Sequence, residues 1–110
     1  MSNKIMTKEQ LVEQLKALRA RGSRIVFTNG CFDLMHVGHT RYLQAARALG
    51  DLLVVGVNSD DSVRSLEKAP DRPIVNETQR AEVVAALGCV DFVVIVSEPD
   101  PKALITAVQP

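Results

Sequence analysis

Leu52-Leu53-Val54-Val55-Gly56-Val57-Asn58 carries no polar side chain before Asn58. A strand with one wet face alternates apolar and polar side chains. This run does not alternate, so it predicts a strand buried on both faces, as in a parallel sheet with helices on either side. Gly50-Asp51 before it and Ser59-Asp60 after it are turn and cap residues, which bound the strand.

Moving outward, Arg24-Ile25-Val26-Phe27-Thr28 is a second β-branched and aromatic run. It ends at Asn29-Gly30 and predicts a buried strand leading into a tight loop over Cys31 to His36. Phe92 to Val96 predicts a third buried strand. Between the strands the period becomes helical. From about Val37, the residues Tyr42, Leu43, Ala46 and Leu49 form an apolar stripe closed by Gly50. Ser59 or Asp60 is placed to cap a short helix, and Asn76 with Gln79 opens a helix carrying Val83, Val84 and Leu87 that ends at Gly88. Ahead of the first strand, Thr7 and Gln10 make a capping-box pattern. Leu11, Leu15 and Leu18 then recur at helical spacing until Gly22, giving a helical lead-in over 8–21. Asp100-Pro101 opens a further helix. The proline-bearing stretch Glu67 to Pro73 reads as a surface loop, too short to separate two cores. The alternation of strand and helix defines an α/β layered sheet. Three strands make a small sheet, so 1–110 is expected to be a single domain, the amino-terminal part of a longer one whose C-terminal strands follow.

Composition narrows the function. Thirteen basic residues balance thirteen acidic ones, so no global field draws the chain to nucleic acid or an anionic membrane, and any anion site has to be local. No apolar run approaches the roughly 20 residues of a membrane helix, and MSNKIMTKEQ lacks the apolar core of a signal peptide, so the chain reads as cytoplasmic. Cys31 and Cys89 are too few for a disulfide framework and lack the paired spacing of zinc ligands; both read as reduced thiols, and no metal site is expected.

The site is expected beyond the carboxyl ends of the strands, where loops lead into helix N-termini. Gly30 to His39 lies there. Unsatisfied amides at the start of the helix near Val37 favour a phosphate, and Gly38 lets that backbone come close. His36 and His39, three apart on a first helical turn, can turn both rings to one pocket and donate hydrogen bonds to one polyphosphate. Neutralising charge on a leaving pyrophosphate needs such donors and no protein nucleophile. The alternative for this pair is a surface or capping role. Lys68, Arg72 and Arg80 are within reach of an anionic ligand, with solvated surface charge as the other reading of each. Asn58 faces the same rim and can meet ribose or base, or else cap the strand end. Cys31 reads as a loop filler, because no adjacent base or cation would lower its pKa.

The run Phe27-Thr28-Asn29-Gly30-Cys31-Phe32-Asp33-Leu34-Met35-His36-Val37-Gly38-His39 resembles the cytidylyltransferase-like branch of the HxGH nucleotidyltransferases. Within it, the run is most similar to the adenylyltransferase domain of ADP-heptose synthases. The resemblance extends through the lead-in, Val57 to Asp60, and Arg72-Pro73 to Arg80. It implies a Rossmann-like sheet and transfer of AMP from ATP to a heptose 1-phosphate, with release of pyrophosphate. By position it implies that Cys31 and Phe32 offer loop backbone to the nucleotide, that His36 and His39 hold phosphates through the transition state, and that Gly38 makes room. Lys68 matches the basic loop residue that meets phosphates, and Arg80 matches an arginine near the nucleotide. Mg²⁺ arrives with the triphosphate. Assembly as a homo-oligomer, and a sugar kinase as attached domain or pathway partner, are compatible with the resemblance. The family's later Lys-Gly-x-Asp segment and Ser/Thr-rich helix start do not occur before Pro110.

A cytidylyltransferase for glycerol phosphate or a similar alcohol phosphate is the nearest competing reading, and a non-catalytic nucleotide-binding module is another. A dinucleotide-dependent oxidoreductase is disfavoured, because no G-x-G-x-x-G follows the first strand.

Overall fold

A computed structural model describes residues 3–67, 71–97 and 105–106. The elements run α1 (Lys8–Ala20), β1 (Ile25–Gly30), α2 (Val37–Arg47), β2 (Leu52–Asn58), α3 (Asp60–Glu67), α4 (Glu77–Ala85) and β3 (Phe92–Val96). The three strands form one parallel sheet in the order β1-β2-β3, with Ile25 opposite Leu52 and Val54 opposite Phe92. β2 is central, which is why its sequence tolerates no polar alternation.

Alternate residues of β2 serve different layers. Leu53, Val55 and Val57 pack with Leu43 and Ala46 of α2 and with Ala81, Val84 and Ala85 of α4. Val54 packs on the other face with Leu11 and Leu15 of α1, together with Ile25, Val94 and Val96. Helices therefore cover both faces, as expected. Burying each of these Val and Leu side chains contributes about 1.5–3 kcal/mol, and the central strand collects that gain on both sides.

α1 opens on the capping box: Thr7 Oγ1 accepts from the Gln10 amide at 3.1 Å, and Gln10 Oε1 accepts from the Thr7 amide at 3.0 Å. Gly22, at φ 85°, follows its end. Ahead of α1, residues 4–6 lie parallel to β3. The Val93 amide donates to the Lys4 carbonyl and the Met6 amide to the Val93 carbonyl, both at 2.9 Å. This short lead covers the outer edge of β3.

Some boundaries differ from the sequence reading. β1 continues through Asn29 and Gly30, which pair with Gly56 and Val57 instead of forming a turn. Ser59 is the residue that opens α3, its Oγ accepting from the Ser62 amide at 3.2 Å. Glu67 ends α3 rather than starting a loop. α2 and α4 end before Gly50 and Gly88, at Arg47 and Ala85. The start of the expected helix at Asp100-Pro101 lies outside the described residues, within which Ile105 and Thr106 are helical. Among the described residues, no helix is long and apolar enough to cross a membrane.

Candidate active site

From Gly30 the chain crosses Cys31 to Met35 before entering α2, at the carboxyl end of the sheet. Phe32 and Leu34 hold φ at 54° and 58°, the left-handed region that residues with a Cβ avoid. Two anchors hold this unfavourable backbone. The Phe32 ring is buried in the core between the sheet and α2, where a Cβ on Gly30 would come within 2.9 Å of it. Between the two residues, Asp33 accepts from the Ile74 amide at 2.9 Å, the Val75 amide at 3.0 Å and the Arg72 guanidinium at 2.9 Å. Burial by itself would raise the Asp33 pKa. The two amides and Arg72 outweigh it and hold the carboxyl below its ordinary value. Strained backbone over-determined in this way recurs at functional sites.

α2 begins at the histidines. His36 is its N-cap, and its Nδ1 accepts from the Gly38 amide at 3.0 Å. His39 reaches back, and its Nδ1 accepts from the His36 amide at 3.1 Å. The two ring centroids lie 4.3 Å apart with planes inclined by 44°, and the Phe32 ring meets His39 edge-on at 5.9 Å. Phe32 thus backs the second imidazole from the core. The expectation that the first-turn amides point unsatisfied toward the loop is corrected here: the rings themselves take those of His36 and Gly38. Of the two readings of this pair, the capping one is observed, through Nδ1 of each ring, and it leaves Nε2 outside the cap.

Arg80 does not reach outward. Its side chain is 1% exposed and its guanidinium is engaged on four partners. Nε donates to the Val75 carbonyl at 2.7 Å. One terminal nitrogen donates to the carbonyls of Cys31 at 2.6 Å and Asn58 at 2.7 Å, and the other pairs with Asp60 at 2.7 Å. Three carbonyls at loop and strand ends, that of Asn58 buried and those of Val75 and Cys31 partly so, are satisfied by one planar fork. Arg80 is a positioning residue that ties the loop after β1 to the end of β2, the start of α3 and the lead into α4. Of the loop backbone that Cys31 and Phe32 are expected to offer to nucleotide, the Cys31 carbonyl is bound to Arg80, and Phe32 contributes its ring to the core.

Asn58 is buried rather than on the rim. Its Oδ1 accepts from Asn29 at 3.1 Å and its Nδ2 donates to Ser62 Oγ at 3.2 Å, so the strand-end role is the one observed. Arg72 pairs with Asp33. Lys68 lies outside the described residues. The loop therefore brings His36, Gly38 and His39 together at the surface, with Cys31, Phe32, Asn58 and Arg80 behind them. The parts Asp33 and Asp60 play in holding the loop escaped the sequence reading: their partners lie 20 to 42 residues away, and no local pattern announces them. Among the described residues, no group of three or more His, Cys, Asp or Glu side chains could hold a metal ion. A cleft of about 370 Å³ lined by Gly22, Arg24, Ala48, Leu49, Gly50 and Asp51 sits at the amino ends of β1 and β2, the end opposite the histidines.

The chain is similar to known proteins in sequence and fold. The sequence model of a family described as cytidylyltransferase-like matches residues 27–110. The bifunctional protein HldE of Geotalea uraniireducens is 58% identical over 107 residues, which are 97% of this chain and 22% of that protein. The protein of the same name from Helicobacter pylori is 53% identical over 107 residues, again 97% and 22%. The chain thus spans about 22% of the length of these curated relatives. A crystal structure of the lipopolysaccharide core biosynthesis protein from Thermoplasma volcanium superposes with a TM-score of 0.74 at 35% identity, covering 81% of this chain and 70% of that one.

Proposed function

This chain belongs to the cytidylyltransferase-like family of nucleotidyltransferases, and on that premise we propose that it serves adenylyl transfer from ATP to a heptose 1-phosphate. A phosphate oxygen of the acceptor attacks the α-phosphorus of ATP. The bond from that phosphorus to the bridging oxygen breaks, and pyrophosphate leaves with the electron pair. The observation that carries the reading is the pair of imidazoles at the N-terminus of α2, 4.3 Å apart and at the carboxyl end of a parallel sheet. There they can donate to phosphate oxygens as the leaving group gains charge, a kind of stabilisation worth about 10²–10³ in rate per donor. Mg²⁺ travels as part of the Mg·ATP substrate and shields its phosphates.

The choice of heptose rests on the likeness of Phe27–His39 to ADP-heptose synthases, on the HldE relatives, and on a neighbour named for lipopolysaccharide core biosynthesis. A sugar kinase, attached or separate, would supply the acceptor. The family description, cytidylyltransferase-like, supports cytidylyl transfer as a second reading, with glycerol phosphate or a similar alcohol phosphate as its proposed acceptor.

Each nucleoside triphosphate is to be paired with each candidate phosphate and pyrophosphate release followed. The proteins are the chain itself and a chimaera in which it replaces the matching segment of the Geotalea HldE. Release confined to ATP with heptose 1-phosphate is expected. Release with CTP and glycerol phosphate instead would move the assignment to the second reading. Binding without release in either protein would leave a nucleotide-binding module.

A further inference from the structure

We propose that Asn29 is a positioning residue for the histidine loop and acts through Asn58. Its effect on rate rests on the function proposed above. Its hold on the loop does not.

Asn29 stands opposite Gly56 where β1 pairs with β2. Its carboxamide lies across that glycine and reaches the next residue on the same face, donating from Nδ2 to Asn58 Oδ1 at 3.1 Å. Asn58 passes the connection onward from its own Nδ2 to Ser62 Oγ, and Ser62 donates to the Ser59 carbonyl at 3.0 Å. One polar ladder thus runs from the end of β1, over the end of β2, into the first turn of α3.

Asn58 is tied to the end of β1 twice. Its side chain meets Asn29, and its carbonyl accepts from the same Arg80 nitrogen that holds the Cys31 carbonyl. Residues 29 and 31 flank Gly30, where the strand gives way to the loop, so both sides of that departure point are referred to one residue of the central strand. A chain fixed there at a single point could swivel about it; fixed on both sides, it leaves in one direction. The loop leads on to His36, so a small rotation at its root is carried to the rings.

Two observations show that Asn29 is not a filler. Gly56 is a glycine inside the central strand, where the missing side chain weakens the strand and marks a close approach. A Cβ there would come 2.7 Å from Asn29 Oδ1, 2.9 Å from Val96 Cγ2 and 3.1 Å from Phe27 Cζ, so the space is left to the carboxamide and its neighbours. In addition, Asn29 Oδ1 is buried with no donor among the described residues. An apolar side chain would fill the same space without burying an unpaired acceptor. What the carboxamide adds is the bond to Asn58.

Asn29→Ala in the chimaera is expected to lower kcat for pyrophosphate release by about 10- to 100-fold with KM for ATP unchanged, because the misplaced rings fail at the transition state. Asn29→Ser, whose hydroxyl is too short to reach Asn58, disturbs the packing less and should lose as much. A rate for Asn29→Ser close to that of the parent overturns the proposal. The double variant Asn29→Ala/Asn58→Ala is expected to be no slower than Asn58→Ala alone, since the two residues act as one connection. Losses that multiply would show that Asn29 acts by another route. Amide spectra of the ligand-free chain decide the structural half. Asn58→Ala, remote in sequence from the loop, is expected to shift the His36 and Gly38 amide resonances, and resonances that stay in place overturn the hold on the loop. If the unsubstituted chimaera releases no pyrophosphate, the proposed function fails, and the spectra still decide whether Asn58 positions the histidines.

Discussion

α1 and α2 begin with the same hydrogen-bond plan and different chemistry. In both, the N-cap side chain accepts from the first turn, and the residue three along accepts from the N-cap amide. Thr7 and Gln10 use their oxygens for this, and the result is a helix end closed against fraying. His36 and His39 use one nitrogen each, Nδ1, and keep a second, Nε2, outside the cap. An imidazole caps through one ring nitrogen and holds a second on a rigid plane, whereas a hydroxyl has a single oxygen and a carboxamide carries its N–H₂ on a longer, freely rotating side chain. The comparison shows how a structural device becomes a chemical one by exchanging residue type while the backbone pattern stays.

The sharpest way to break the parallel is to remove the donor from one box and the cap from the other. His36→Ala or His39→Ala is expected to cut pyrophosphate release in the chimaera by about 10²–10³-fold. Thr7→Ala should leave that rate unchanged. Next in size is the frame behind the histidines. Arg80→Met strips donors from the carbonyls of Cys31, Asn58 and Val75 and should cost about 3 kcal/mol in urea unfolding. Arg80→Lys, lacking the planar fork, should recover only part of it.

Asp33→Asn is expected to cost about 1.5–3 kcal/mol at neutral pH, because a charged acceptor of three donors becomes a neutral one. The sign of its pH dependence follows from a folded-state pKa held below the usual value of 3.8. The wild-type advantage is fully present above the unfolded value and is lost as pH falls through the lower folded one. The two unfolding curves should therefore converge in acid, and a gap that persists there would contradict the assigned role. Smallest is the cap of α1 itself: Thr7→Ala should lower stability by about 1 kcal/mol in the same unfolding measurement.

Much of this could be read from residues in order. β2 and β3 occupy their expected spans because continuous apolar runs admit one solution in a covered parallel sheet, and α1 was signalled by Thr7, Gln10 and Gly22. His36, Gly38 and His39 were legible as a group because their spacing on a first turn is local. What escaped was set by tertiary partners. Arg80 reads as a surface cation on an exposed turn until three carbonyls from distant segments converge on it. Asn58 reads as a rim residue until Asn29 and Ser62 surround it. Asn29-Gly30 reads as a turn, yet the positive φ values fall on Phe32 and Leu34, where the buried ring and Asp33 compensate for them. Local propensity chose the wrong residues for the bend because the packing that sustains it is not local.

The short parallel lead at Lys4 to Met6 has a consequence for anyone handling the protein. It occupies amides and carbonyls on the outer side of β3 that would otherwise lie open as a template for a second molecule's strand. Trimming the chain through Met6 would leave every residue of the histidine site in place while uncovering that edge. Protection of the β3 edge therefore lies with Lys4 to Met6, at a distance from the histidines.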